Sequence, residues 1–221
     1  MNSKSKNRNP WPTKAVMQQV YTQNLWGENG TEFYSGEGSH DPELIEPYLA
    51  EVIRFLKSFE KYITICDLGC GDFNIGNQLI PYVERYIAID IVPELIHYNA
   101  RNFADSKVEF VCTDIAKDKL PKADCAILRQ VLQHLSNIEI QQIVEKLPQY
   151  KYVLLTEHVP DGEYVPNKDI ISGQGIRLKK QSGVDLLRPP FSLQVKGKTM
   201  LLSQSPIRHK GVIVTTLFQM L

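Results

Sequence analysis

One pattern limits what this chain can fold into more than any other. Short apolar runs at residues 62–66, 86–89, 108–112, 125–128 and 152–156 alternate with stretches of helical spacing near 75–83, 93–103 and 138–147. Runs of four or five residues rich in Val, Ile, Tyr and Cys suit strands, not core helices. Strands that alternate with helices need crossover connections, so they predict a parallel sheet wrapped by helices on both faces.

The segments on either side fill in the rest. Val16, Met17, Val20, Tyr21 and Leu25 fall at helical spacing across residues 13–26. The small-residue loop Ser35-Gly36-Glu37-Gly38-Ser39-His40 comes next. Asp41 then reads as a helix cap and Pro42 as a first-turn proline. That helix continues through Leu44, Ile45, Tyr48, Leu49, Val52, Ile53, Leu56 and Phe59, with Pro47 expected to kink its start. Ser136 and Glu139 have the spacing of a capping box. Residues 161–190 are rich in Gly, Pro and polar side chains, and strand-like runs return at 191–195, 199–203 and 212–218, with Gly197 expected to turn a hairpin.

Composition excludes several classes. No apolar run approaches the roughly 20 residues of a membrane helix, and the polar, basic start has no apolar stretch behind it. Residues 1–12 read as a disordered tail. Lys and Arg total 25, as do Asp and Glu, which gives no general reason to expect nucleic acid or a membrane as partner. The charge is uneven, however. From Gly175 onward Asp185 is the only acid, set against Arg177, Lys179, Lys180, Arg188, Lys196, Lys198, Arg208 and Lys210, either a solvated face or an aid to an anionic acceptor. Cys66, Cys70, Cys112 and Cys125 form no Cys-x-x-Cys pair and read as reduced thiols of a cytoplasmic protein, not as a zinc site.

The chemistry concentrates in Asp67-Leu68-Gly69-Cys70-Gly71-Asp72-Phe73-Asn74, directly after one strand and before a helix. Glycine lets a backbone turn sharply and approach a ligand. A second acid, Asp90, closes the next strand about 20 residues on, the position from which a carboxylate bonds a ribose. A third, Asp114, comes directly after Thr113 at the end of the next strand and can accept from an adenine amino group. Three strands ending in acids line one crevice at the carboxyl edge of the sheet. A nicotinamide dinucleotide is the rival ligand, but its fingerprint needs glycine where this chain has Asn74, and a pyrophosphate sits poorly beside Asp67 and Asp72.

Asp67-Leu68-Gly69-Cys70-Gly71, Asp90 and Asp114 resemble motifs I, II and III of the class I S-adenosylmethionine (SAM)-dependent methyltransferases. The resemblance implies a doubly wound, mostly parallel seven-stranded α/β sheet with an antiparallel C-terminal strand, the Rossmann-like methyltransferase fold. It implies one methyltransferase domain over residues 13–221, with 13–60 a helical lid and 161–190 an acceptor-side insertion. Asp67 and the Gly69-Cys70-Gly71 backbone would hold the methionine part of SAM, flanked by Arg129 and Gln130, with Asn74 a further cofactor contact. Asp90 would hold the ribose with Ile91 against adenine, while Asp114 and the Ile115 amide would read the adenine edge, with Thr113 a further cofactor contact. Phe73 departs from the family, which often has a third glycine there.

Methyl transfer needs an aligned acceptor and, for hydroxyls, a proton acceptor. His134, after the fourth strand, resembles a histidine often found there; it either acts chemically or shapes its loop. Glu157 and His158, after the fifth strand, join it as candidate catalytic residues. A metal is not expected, because adjacent residues such as Glu157 and His158 point apart. Tyr34 in the lid and Arg177 in the insertion are candidate substrate contacts; a surface packing role is the alternative for Tyr34. The expected reaction is transfer of a methyl group to a small polar acceptor, preferably its oxygen, by a monomer or homodimer. An NAD-dependent oxidoreductase and a non-catalytic SAM-binding protein are the alternatives.

Overall fold

The computed structural model describes residues 11–207 and 210–221. The expected tail up to residue 10 and Arg208 therefore lie outside the described residues. Seven strands form one sheet: β1 (Thr64–Leu68), β2 (Arg85–Asp90), β3 (Val108–Cys112), β4 (Cys125–Arg129), β5 (Tyr152–Val159), β6 (Gly197–Gln204) and β7 (Val212–Gln219). Their order is β3-β2-β1-β4-β5-β7-β6. The first five pair in parallel, β7 pairs antiparallel with both β5 and β6, and the chain direction therefore reverses only at β7. Strand order reverses at β1, between β2 and β4, where doubly wound sheets open a crevice for ligands.

Period-two burial sorts the core into two layers. Cys66, Leu68, Ile87, Ile89, Ala126 and Leu128 face one cluster, shared with helices α1 (Thr13–Thr22), α3 (Pro93–Asn102) and α4 (Asn137–Val144). Ile65, Tyr86, Ala88, Cys125 and Ile127 face the other, beneath α2 (Pro42–Lys57) with Tyr48, Leu49, Val52 and Leu56. Helix starts obey local chemistry. The Asp41 side chain accepts from the Glu43 amide, and Ser136 with Glu139 completes a capping box on α4.

Four expectations need correction. Residues 75–83 form no α-helix; Gly76–Tyr82 is a run of 3-10 turns containing Pro81, which has no N–H for a longer ladder. Helix α1 ends at Thr22, four residues short of Trp26, where Asn24 turns to positive φ. The run at 191–195 is not a strand: Phe191 and Leu193 are buried, but the backbone loops, and Gly197 opens β6 instead of turning a hairpin. No helix among the described residues is long and apolar enough to cross a membrane. The four cysteines are free thiols, with Cys66 and Cys125 buried and Cys112 exposed.

Candidate functional site

A cleft of about 1240 Å³ opens at the carboxyl ends of β1, β2 and β4. A single small-molecule pocket is typically about 300–1,000 Å³, so this space admits two ligands side by side. Its floor is the turn after β1. Gly69 and Gly71 both take positive φ, and a Cβ on Gly69 would lie 2.5 Å from a Val131 methyl. On Gly71 it would meet the Ser35 hydroxyl at the same distance.

Of the residues singled out by sequence, the cleft lining gathers Tyr34, Asp67, Gly69, Cys70, Gly71, Asp90, Ile91, Thr113, Asp114, Ile115, Arg129, Gln130, His134 and His158. Asn74, Glu157 and Arg177 lie outside it. Asn74 turns its amide to the Ser39 carbonyl at 2.7 Å. Strand β5 runs on to Val159, so Glu157 and His158 sit within it and face opposite ways; only His158 reaches the cleft. Arg177 is 1% exposed, its guanidinium turned inward to protein carbonyls.

Two acids on the floor are held with little compensation. Asp67 accepts a hydrogen bond from the Tyr86 hydroxyl at 2.8 Å, yet burial pushes its carboxyl up to about 7, with Asp90 adding to the rise. Asp90 accepts from the Gly71 amide at 3.2 Å and the Val92 amide at 3.0 Å, and burial still raises it to about 6. Asp114 caps its own turn, accepting from the Ala116 and Lys117 amides, and pairs with the Lys117 ammonium at 2.9 Å.

Arg129 closes β4 with its guanidinium over the Tyr48 ring and one N–H bonded to the Gly38 carbonyl at 2.6 Å. Its Nε and the Gln130 side-chain amide nitrogen are buried without a hydrogen-bond partner among the described residues. A buried cation lacking a carboxylate stands near raised carboxyls lacking a cation. That donor set fits a zwitterion bearing ammonium, carboxylate and ribose hydroxyls, the groups of SAM.

The loop of residues 35–40 is stapled to this floor by residues the sequence left without a role. Asp72 Oδ2 accepts from the Ser35 amide at 2.7 Å and lies 2.6 Å from His40 Nε2. The Asp72 amide donates to the Ser35 hydroxyl at 2.9 Å, which also meets the Tyr21 hydroxyl at 3.0 Å. The Tyr34 ring lies against the His40 ring, centroids 4.7 Å apart and tilted by 40°. The loop's small residues and the acid after Gly71 were the legible signals; their pairing across 37 residues was not.

At the other end of the cleft, His134 ends a short turn, Leu132–His134, against the Trp26 ring at 5.1 Å. Its Nδ1 lies 3.1 Å from the Gly173 carbonyl oxygen. A carbonyl only accepts, so Nδ1 carries the proton. Burial depresses the imidazole to about 4, which leaves it neutral with a lone pair on Nε2, 3.3 Å from the Gln133 amide nitrogen. Among the described residues no group of three or more His, Cys, Asp or Glu side chains could hold a metal ion.

Comparison with known proteins agrees with the fold. Residues 65–150 match the methyltransferase-domain family. Over 179 residues the chain is 24% identical to a protein of Chlamydia pneumoniae named as an uncharacterized RNA methyltransferase, covering 71% of this chain and 41% of that one. It is 32% identical over 90 residues to the malonyl-[acyl-carrier protein] O-methyltransferase of Acetivibrio thermocellus, covering 38% and 32%. The chain thus spans less than half the length of these curated relatives. Among solved structures, the N-methyltransferase NodS of Bradyrhizobium japonicum with S-adenosyl-l-homocysteine superposes with a TM-score of 0.65 at 13% identity, covering 92% of this chain and 98% of that one. With the strand order, the glycine turn and the strand-end acids in place, the chain has the fold of S-adenosylmethionine-dependent methyltransferases, and its residues 65–150 carry the methyltransferase-domain match.

Proposed function

We propose that this chain transfers a methyl group to the oxygen of a small polar acceptor, with His134 as general base. When bound, SAM supplies a methyl group already activated by its sulfonium. Asp67 would hold the ammonium, Arg129 the carboxylate and Asp90 the ribose hydroxyls, with Ile91, Thr113, Asp114 and Ile115 around the adenine. Gly69 and Gly71 keep that part of the cleft open to backbone depth.

The observation that carries the acceptor side is the state of His134. A neutral imidazole whose Nδ1–H is fixed on a carbonyl offers its Nε2 lone pair for a proton. An acceptor hydroxyl replaces the long Gln133 contact at that nitrogen. His158, Tyr34 and Gln130 complete a polar rim, and Trp26 supplies an apolar wall.

Calorimetric titration with SAM, S-adenosylhomocysteine and NADH, beside Asp90→Ala, tests the cofactor. Binding of the first two that weakens at least tenfold in the variant supports it; NADH binding instead sinks it. An acceptor screen of small hydroxyl compounds, carboxylic acids, amines and a short RNA then reads S-adenosylhomocysteine release. Turnover that falls about 100-fold in His134→Asn while cofactor affinity holds supports the base. Methylation of the amines or the RNA alone would overturn the choice of acceptor, and SAM binding without any turnover favours the non-catalytic reading.

A further inference from the structure

Building on His134 as the base, we infer that Glu157 and Arg177 are positioning residues, clamping the Leu132–His134 turn from its two ends so that the imidazole presents Nε2 to the cleft.

A single 3-10 turn has poor internal hydrogen bonding and little stiffness of its own. Here the surrounding structure supplies it. Glu157, from β5, accepts from the Leu132 amide at 3.1 Å. The Gln133 side-chain oxygen accepts from the His158 amide at 3.1 Å and ties the middle of the turn to the same strand. Arg177 approaches from the 161–190 segment. It donates to the Leu132 carbonyl at 2.9 Å and the Leu135 carbonyl at 2.7 Å, one at each end of the turn. Its remaining contacts, to Asn137 Oδ1 at 2.8 Å and the Lys168 carbonyl at 3.2 Å, fix the guanidinium plane. From the same segment Gly173 donates its amide to the His134 carbonyl at 2.9 Å and accepts from His134 Nδ1.

Glu157 and Arg177 are almost wholly buried, at 3% and 1% exposure, burial pushes the Glu157 carboxyl up to about 8, and no ion pair joins the two. Burying a guanidinium and a carboxyl without pairing them is costly, and apolar side chains of similar size would fill the space more cheaply. What apolar residues cannot do is satisfy an amide and two carbonyls of one turn simultaneously. A planar fork reaches two carbonyls in fixed relation; an ammonium does not. The arrangement therefore makes sense as a device that fixes a turn, and His134 is the turn residue that meets the cleft.

Histidine NMR tests this without an acceptor, so it stays informative even if His134 proves not to be the base. The full-length protein, saturated with S-adenosylhomocysteine, is labelled with 15N-histidine, and His134→Asn assigns its signal among the five histidines. In the parent protein His134 is expected as the Nδ1–H tautomer alone, titrating near 4. Glu157→Gln keeps an oxygen facing the Leu132 amide and should preserve that signature. Glu157→Leu and Arg177→Lys should each give averaged tautomers and raise the midpoint by about one unit or more toward the free value. A parent His134 found as Nε2–H or titrating near 6.5 overturns the proposal. An unchanged signature in whichever of the two disruptive variants folds and binds S-adenosylhomocysteine overturns it as well; if neither folds, loss of the signature in Glu157→Gln does so.

Discussion

Replacing Asp67 by Asn should make the cofactor-free protein more stable while weakening its ligand. The Asp67 carboxyl is 7% exposed and is pushed from an ordinary value of 3.8 to about 7, chiefly by burial. An acid whose folded value is raised destabilises the fold wherever it is ionised. The native state binds more protons than the unfolded state between about pH 4 and 7, so stability falls as pH rises through that window. At about 1.36 kcal/mol per unit, the raised Asp67 carboxyl costs about 4 kcal/mol at pH 8, where it is ionised in the fold, and about 2 kcal/mol at pH 5, where the fold holds it protonated and the unfolded chain does not. Asparagine removes the charge and keeps an oxygen for the Tyr86 hydroxyl. For a chain of this size 1 kcal/mol moves Tm by about 2–4 °C, so Tm should rise by roughly 10 °C at pH 8 and by about half that at pH 5. Differential scanning fluorimetry at the two pH values reads this directly. The same variant should bind S-adenosylhomocysteine at least tenfold more weakly, since a charge-assisted bond to an ammonium contributes about 1.5–3 kcal/mol. A Tm equal to or below the parent's at pH 8, or a gain that does not shrink at pH 5, would refute the reasoning.

The floor and the loop of residues 35–40 each give a further expected outcome. Gly69→Ala forces a Cβ onto Val131 at positive φ, so it should cost about 1–3 kcal/mol in denaturant unfolding and lower S-adenosylhomocysteine affinity. Asp72→Ala cuts the bonds from Ser35 and His40 to Asp72, and stopped-flow fluorescence of Trp26 should show S-adenosylhomocysteine leaving about tenfold faster, as loss of one or two hydrogen bonds predicts.

How much of this was legible depended on the range of each interaction. Strands β1, β2, β4 and β5 showed as apolar runs because both faces of the parallel sheet are covered there. Asp41, Ser136 and Glu139 declared their helices because capping acts over two or three residues. The strand-end acids were visible because the sheet's topology sends each strand end to the same edge. Phe191 and Leu193 misled because buried apolar side chains look alike on a strand and on a packed loop. Arg177 misled for a related reason. Nothing local distinguishes a cation reaching for a ligand from one that bonds the Leu132 and Leu135 carbonyls more than 40 residues away. Asn74, Glu157 and the Asp72–His40 contact likewise depend on partners that only folding brings near.

The glycine turn settles on physical grounds which kind of nucleotide this sheet can take. Dinucleotide folds bind a pyrophosphate through free amides at a glycine turn and a helix N-terminus. Here the amides of that turn are already engaged. Those of Gly69 and Cys70 donate to the Ile89 carbonyl, that of Gly71 to Asp90 and that of Asp72 to the Ser35 hydroxyl. Those of Phe73 and Asn74 donate to the Cys70 carbonyl and to Asp72 Oδ1. No amide from Gly69 to Asn74 is left for a phosphate, and the chain continues from there into 3-10 turns, not an α-helix. Asp67, Asp72 and Asp90, all buried, set negative potential where a pyrophosphate would need positive. A ligand entering this turn gains most by bringing an ammonium and hydroxyls to the acids and a carboxylate to Arg129. The same turn that resembles a dinucleotide fingerprint in glycine spacing is, in hydrogen bonding and charge, built against one.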